Sequence, residues 1–174
     1  SFGTYLDTHV GLSHARLSIR DIAGGSQPMI RQDEGRTCVI VYNGEIYNTD
    51  ELLPPLLAAG YTFSTTSDTE VILCAYLHYG KDFVSRLNGI FAFAIWDGGT
   101  GELLLYRDRA GTKPLFYSTP GGTLVFGSEP KALFCHPDIS PAIDENSLLE
   151  LLSIGPARTP GNGIFSGMHE VLPG

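Results

Sequence analysis

The sequence predicts an α+β fold with largely antiparallel sheets. Short β-prone runs fill the first 48 residues and helical periodicity follows, so strands and helices segregate instead of alternating as βαβ units. The run IFAFAIWD, residues 90–97, is apolar on both faces, as expected of a strand buried between two layers. We therefore expect two packed sheets with helices outside them.

The strands are predicted from β-prone runs bounded by turn residues. Two short strands are expected around Tyr5 and from Gly11 to Ile19, and a longer one in TCVIVYNGEIYN, residues 37–48. Gly, Ser and Pro mark residues 22–28 as a loop. After residue 100, the runs ELLLYRD, PLFYS and TLVFGSE predict a β-meander.

Three longer helices are predicted from capping residues and spacing. Asn48 with Glu51 has the form of a capping box and opens a helix through Ala59, in which Pro54 and Pro55 predict a kink or an early stop. Ser67 or Asp68 caps a second helix, and IDENSLLELLSIG forms the last one, with Asp144 near its start and Gly155 after it. The segment DFVSRLNG predicts a short helix closed by Gly89.

Composition excludes several classes of protein. The net charge of −8 argues against binding to nucleic acid, whose phosphates would be repelled. The longest apolar run, IFAFAIW, is far shorter than the ~20 residues of a membrane span. The three cysteines form no CxxC pair and the five histidines are scattered, so no metal site is predicted. Buried thiols in a reducing cytoplasm are the expected state.

The pair Asn43–Gly44 has two interpretations. Between alternating apolar runs, Asn-Gly is the strongest short-range signal for a hairpin turn. Alternatively, the Asn43 amide and the unobstructed Gly44 N–H face a cleft as donors to an oxyanion. Glu45 beside them would then accept a cation.

Two further charged residues carry the same ambiguity. Arg16 is either a solvated edge-strand residue or a bidentate clamp on a carboxylate. Asp68 is either a helix cap or an acceptor for an ammonium group. Together these residues suit an amino acid that carries a second carbonyl group open to attack.

Six ordered motifs give the chain a specific resemblance. They are GLSHARLSIRD, VYNGEIYN, TTSDTEVI, LNGIFAFAIWD, RDRAGTKPLFY and FGSEPKAL. In this order and spacing the chain resembles the N-terminal glutaminase domain of glutamine-hydrolysing asparagine synthetases, a class II (Ntn-type) glutamine amidotransferase. The resemblance runs from about Gly3 to the closing EVLPG. It implies a four-layer αββα sandwich and a cytoplasmic enzyme of amino-acid biosynthesis.

The resemblance also implies a role for each candidate residue. Arg16 matches the arginine that grips the α-carboxylate of L-glutamine, and the backbone of the stretch that follows lines the same pocket. Asn43 and Gly44 match the oxyanion hole, while Glu45 and Asp68 match the acceptors of the α-ammonium group. The lining stretch consists of Leu17, Ser18, Ile19 and Arg20.

Two departures from the family pattern are expected to matter. The family's nucleophile is an N-terminal cysteine followed by a strand and a helix, and this chain resembles an N-terminally truncated domain that begins after them. Ser1 is not expected to replace it, because it stands only 15 positions before Arg16. No thiol of the chain lies where the family needs one, so the chain alone is expected to be inactive.

The second departure is that no SGGxDS-type pyrophosphate loop follows VLPG. In the family that loop belongs to a C-terminal synthetase domain, which uses ATP and Mg²⁺, whereas the glutaminase domain itself needs no cofactor. We expect the glutaminase domain to span residues 1–155, and residues 156–174 to be a linker toward that synthetase domain. The resemblance is also compatible with a homodimer.

Three hypotheses on function remain open at this point. The first is release of ammonia from glutamine for ATP-dependent amidation of aspartate. The second is a glutaminase domain that serves another acceptor. The third is a non-catalytic amino-acid-binding or scaffold domain of the same fold.

Overall fold

The computed structural model describes residues 2–15, 25–156 and 159–174. The chain divides into two compact units, Ser1–Tyr106 and Arg107–Gly174. The strands in the described residues are β1 Phe2–Leu6, β2 Gly11–Ala15, β3 Met29–Asp33, β4 Arg36–Ile46, β5 Gly89–Asp97, β6 Glu102–Arg107, β7 Phe116–Ser118, β8 Val125–Gly127 and β9 Met168–Glu170. The α-helices there are α1 Thr49–Ala58, α2 Asp68–Tyr79, α3 Pro130–Leu133 and α4 Glu145–Ser153, and the segments Gly80–Arg86 and Pro120–Gly122 form short 3₁₀ helices.

The first unit is built on a four-stranded sheet in the order β3-β4-β5-β6. The β3–β4 and β4–β5 pairs are antiparallel, and a separate hairpin joins β1 to β2. Alternate residues of a strand face opposite sides of a sheet. One face of the central strands packs with α1 and α2 into the main core, to which β4 contributes Cys38, Ile40 and Tyr42 and β5 contributes Phe91, Phe93 and Ile95.

A partly buried ion pair joins β4 to β5 at one end. The fully buried Asp97 carboxylate accepts a bond of 2.8 Å from Arg36 Nε and one of 2.7 Å from the Tyr76 hydroxyl. Burial opposes ionisation of Asp97, but the Arg36 and Tyr76 donors outweigh it and hold the pKa of the carboxyl well below its ordinary value. The pair helps to fix the register in which Gly44 stands opposite Phe91.

The second unit has a smaller core. β7 lies between β8 and β9 in an antiparallel three-stranded sheet. Leu133, Ile139 and Met168 are buried together beside Phe116 and Phe165. Leu133 of α3 and Met168 of β9 thus belong to one core.

The predicted α+β class with antiparallel sheets is confirmed. Two of the predicted helix starts are also confirmed, because Ser67 Oγ accepts the Thr69 N–H and the Asp144 carboxylate accepts the Ser147 N–H. Residues 80–86 form a 3₁₀ helix, and Gly89 opens β5 instead of closing a helix.

The predictions for α1 were wrong in detail. Asn48 does stand before the helix, but its side chain makes no cap bond. Its Oδ1 accepts the Asn88 N–H at 2.9 Å and its Nδ2 donates to the Arg86 carbonyl at 3.0 Å, so the amide ties the helix start to the segment before β5.

The two prolines do not stop α1, which continues to Ala58. The carbonyl groups deprived of a partner by Pro54 and Pro55 are those of Asp50 and Glu51, four residues earlier, and both residues are exposed to water. The buried pair Leu52 and Leu56, one turn apart, holds the helix on the core.

The predicted β-meander is confirmed for its last two strands, because β7 and β8 pair antiparallel, and wrong for its first. β6 joins the sheet of the first unit, whereas β7 and β8 join the sheet of the second. Part of the predicted linker 156–174 is folded as well, since β9 pairs with β7 and Met168 is buried. The many glycines and prolines around β9 concealed a strand of only three residues.

Candidate functional site

Asn43, Gly44 and Glu45 lie inside β4 and not in a turn. They pair in unbroken register with Ala92, Phe91 and Ile90 of β5. The hairpin-turn interpretation of Asn43–Gly44 was therefore wrong. The strand continues because the apolar run of β5 offers a partner to every residue of this stretch, a contact between segments distant in sequence.

At Gly44, one edge of β4 has no strand partner among the described residues. β3 pairs with β4 only as far as Ile40. Beyond it, the Gln27 side chain accepts the Tyr42 N–H at 2.6 Å and donates to the Tyr42 carbonyl at 3.0 Å. Peptide groups of a strand alternate in direction, so the Gly44 N–H points to the same edge as that of Tyr42. Among the described residues no strand pairs with Gly44 on that side.

The packing of β5 against β4 requires a glycine at position 44. A Cβ at this position would lie 2.1 Å from the Ile90 carbonyl oxygen and 2.7 Å from the Phe91 Cα. Only glycine lets β5 approach β4 this closely while the N–H of residue 44 remains available at the open edge.

Asp68 is anchored to both flanks of the Asn43–Glu45 stretch. Its Oδ2 accepts the Tyr42 hydroxyl at 2.7 Å and the Ile46 N–H at 3.1 Å. Alternation along β4 places the Asn43 and Glu45 side chains on the face opposite to those of Tyr42 and Ile46. Asp68 therefore meets the strand at its edge, and one of its carboxylate oxygens accepts both of these bonds.

A buried carboxylate shapes the turn that presents Asp68. Glu70 accepts bonds from the backbone N–H and the hydroxyl of both Ser64 and Thr65, at 2.7–3.1 Å. Burial opposes ionisation of Glu70, but these donors outweigh it, and the pKa of Glu70 is lowered. The ionised form thus holds residues 64–67 against the first turn of α2.

The remaining predicted site residues lie outside the described part of the chain. They are Arg16, Leu17, Ser18, Ile19 and Arg20. The structure therefore brings together four of the predicted residues, Asn43, Gly44, Glu45 and Asp68, through β4 and its contacts with α2. Sequence reasoning missed Gln27 and Tyr42, which hold this stretch in place. The only signal for Gln27 would have been its place opposite Tyr42, which depends on the β3–β4 register.

The two thiols of the first unit are buried. Burial raises the pKa of Cys38 to about 12 and that of Cys74 to about 11. Both thiols are therefore protonated near neutral pH and poor nucleophiles. Cys135, in the second unit, is exposed.

The motif RDRAGTKP has a structural role within the second unit. The buried Asp108 carboxylate accepts the N–H groups of Ala110, Thr112 and Lys113 at 3.0–3.1 Å. Arg107 donates to the Lys113 carbonyl at 2.7 Å. The motif thus organises its own turn.

The described residues offer neither a metal-binding cluster nor a membrane-spanning helix. No group of three or more His, Cys, Asp or Glu side chains is arranged there to hold a metal ion. No helix in those ranges has the length and apolar character needed to cross a membrane.

Comparison with known proteins identifies relatives across the chain. A family model described as a glutamine amidotransferase domain matches residues 1–174. Asparagine synthetase [glutamine-hydrolyzing] 3 of Bacillus subtilis is 50% identical over 95% of this chain, and asparagine synthetase [glutamine-hydrolyzing] 1 of the same organism is 46% identical over 100% of it. The chain spans 27% of the length of each of these relatives. A relative named amidase chyE, from Penicillium rubens, is 36% identical over 95% of the chain.

Solved structures agree with the sequence matches. Glutamine phosphoribosylpyrophosphate amidotransferase from B. subtilis, complexed with ADP and GMP, aligns with a TM-score of 0.59 at 26% identity, over 72% of this chain and 28% of the other. A structure described as the allosteric regulatory enzyme of purine biosynthesis gives a TM-score of 0.60 at 28% identity, over 72% and 29% of the two chains. Both likenesses agree with the predicted Ntn-type fold. With the family match over its whole length, this chain belongs to the glutamine amidotransferase domain family.

Proposed function

We propose that this chain is the glutamine-hydrolysing domain of an asparagine synthetase, which releases ammonia from the side-chain amide of L-glutamine for ATP-dependent amidation of aspartate. The observation that carries the proposal is the Gly44 N–H at a strand edge that no described strand covers, next to Asn43 and flanked by two bonds to Asp68. The asparagine synthetases named above are 46–50% identical to this chain, whereas the amidase is 36% identical, which favours aspartate over another acceptor.

The proposed chemistry is acyl transfer from the glutamine side chain. Attack on the amide carbon turns the carbonyl oxygen into an oxyanion, and donors aimed at that oxygen stabilise the transition state. The Gly44 N–H and the Asn43 amide are proposed to supply these donors. Ammonia then leaves, and hydrolysis of the acyl intermediate gives glutamate.

Recognition of the amino-acid end of glutamine is proposed to rest on charge. Asp68 and Glu45 would accept the α-ammonium group. Arg16 would clamp the α-carboxylate, with the backbone of residues 17–20 lining the pocket. For these last residues the proposal rests on the sequence resemblance alone.

We further propose that none of the three cysteines is the nucleophile and that residues 1–174 alone do not hydrolyse glutamine. The buried Cys38 and Cys74 thiols, with their raised pKa values, support this for the first unit. A cysteine outside this chain would supply the nucleophile. ATP and Mg²⁺ would serve a separate synthetase domain of the same protein. We expect the whole protein to be a cytoplasmic homodimer.

The experiment that tests the function is an assay of glutamate release by the full-length protein, with Arg16→Ala as the variant. Arg16→Ala should raise the KM for glutamine while leaving synthesis from ammonium unchanged, because the clamp touches only glutamine. If the wild-type protein forms no glutamate from glutamine, the domain is a binding or scaffold module. Equal loss of both activities in the variant would make Arg16 a structural residue.

A further inference from the structure

Gln27 takes the place of a main-chain strand partner beside Gly44. Met29 pairs with Ile40 and Ile30 with Val39, so the β3–β4 register, extended by two residues, puts residue 27 opposite Tyr42. Opposite Tyr42, the Gln27 side chain makes the two hydrogen bonds that the main chain of a strand partner would otherwise make. A glutamine amide has one acceptor and one donor group, as a peptide has, and can satisfy both groups of Tyr42.

The main chain of Gln27 lies elsewhere, against β1. Its carbonyl oxygen would lie only 2.2 Å from a Cβ at Gly3, so the absence of a side chain at Gly3 makes room for it. Had the main chain continued along β4 in the same register, residue 25 would stand opposite Gly44 and would cover its N–H. Because the Gln27 side chain bonds Tyr42, the main chain can leave the sheet two residues before it would cover the Gly44 N–H.

The Asn43–Glu45 stretch is thus held on both sides by side chains. Gln27 fixes the peptide groups of Tyr42 before it, and Asp68 fixes the Ile46 N–H after it. Gln27 is buried, with 9% of its surface exposed, so water cannot readily replace its amide.

We propose that Gln27 is a positioning residue for glutamine hydrolysis. It keeps the edge of β4 open at Gly44 and sets the Asn43 and Gly44 donors where the oxyanion forms. This inference rests on the proposed function, since it assigns these two groups to the oxyanion. Gln27 itself touches the strand and not the substrate, so its effect should fall on the chemical step more than on binding.

The test uses Gln27→Ala and Gln27→Glu in the full-length protein, with Gln32→Ala as the matched control. Gln32 is an exposed residue of β3 opposite Thr37, away from Asn43. Steady-state rates are divided by the number of active sites titrated with a covalent diazoketone analogue of glutamine, which removes any effect of unfolded protein. Synthesis from ammonium is measured in parallel.

We expect Gln27→Ala to lower kcat for glutamine hydrolysis per titrated site by about 10²-fold, the cost of a small misplacement of catalytic groups, with KM nearly unchanged. Synthesis from ammonium and all rates of Gln32→Ala should remain at the wild-type level. Gln27→Glu keeps the shape but sets a carboxylate oxygen against the Tyr42 carbonyl. Its neutral form can donate, so its rate relative to wild type should recover as the pH falls from about 8 to about 6.

A kcat per titrated site equal to wild type in both variants would overturn the inference, even if their stability were lower. An unchanged kcat with a raised KM would overturn it too, since Gln27 would then act in binding. Both results presuppose a wild-type protein that hydrolyses glutamine. If the wild type does not, the proposed function fails instead.

Discussion

Gly44 lies against Ile90 so closely that a Cβ on residue 44 would stand 2.1 Å from the Ile90 carbonyl oxygen. This contact forces the stretch that carries the proposed oxyanion donors to lack a side chain at its centre. The Gly44 N–H lies on the opposite edge of β4, where no described strand pairs with it. Packing against β5 thus fixes the identity of the residue whose N–H is proposed to bind the oxyanion.

Gly44→Ala should lower both stability and glutamine hydrolysis. The added methyl group meets backbone atoms that cannot rotate away, so we expect a loss of about 1–3 kcal/mol in the free energy of unfolding. Gly11→Ala is the control, because its Cβ would meet only the end of the exposed Leu6 side chain at 3.0 Å. Denaturant unfolding measures both variants, and equal midpoints would contradict the close contact.

Asp68→Asn should raise the KM for glutamine by about 10- to 100-fold, the range expected for loss of a charge-assisted hydrogen bond. Asparagine keeps an oxygen that can accept from Tyr42 and Ile46, so the strand contact is largely preserved. Tyr42→Phe is the matched control, since it removes one bond to Asp68 and leaves the carboxylate charge.

The KM values of the two variants separate the roles of Asp68. A rise in Asp68→Asn alone supports ammonium binding. An unchanged KM in Asp68→Asn would reduce Asp68 to a residue that anchors β4.

Glu70→Gln should destabilise the protein at neutral pH but not in acid. The lowered pKa means that the ionised Glu70 stabilises the folded state above its ordinary value of 4.5, and that this contribution is lost as the pH falls through the lower folded value. The stability difference from wild type should therefore narrow below about pH 4. Glu34→Gln, an exposed position in the β3–β4 turn, serves as control. A difference that does not vary with pH would contradict the role given to the charge.

The cysteines should differ in reactivity. In the folded chain, a chromogenic disulfide reagent at neutral pH should modify Cys135 and spare Cys38 and Cys74, whose thiols are buried with raised pKa values.

Residues 1–174 should release no ammonia from glutamine. Turnover by this chain that disappears in Cys135→Ser, or in a Ser1→Ala variant, would contradict the claim that the nucleophile lies outside it.

The sequence predicted elements whose signals are local. The Ser67 and Asp144 caps and the apolar β5 run are of this kind, and all three were recognised. Elements decided by distant contacts were not. The Asn48 amide bonds residues 86 and 88 and makes no cap bond to the backbone of its own helix. β6 pairs with β5 and not with β7.

The candidate site shows the same division. Asn43, Gly44, Glu45 and Asp68 were selected from the sequence, but the turn and strand interpretations of Asn43–Gly44 could not be separated without β5. Gln27 left no local signal at all, because its role arises from its place opposite Tyr42, which depends on the register between β3 and β4.

The most direct test of the central claim follows nitrogen through the full-length protein. Glutamine with heavy nitrogen in its side-chain amide is supplied with aspartate and ATP, and the label is measured in the amide of the asparagine formed. The account predicts that wild type transfers the label. It also predicts that Asn43→Asp lowers this transfer by about 10²–10³-fold, the cost of losing one oxyanion donor, while labelled ammonium is still incorporated at the wild-type rate. Equal incorporation from labelled glutamine by wild type and Asn43→Asp would contradict it.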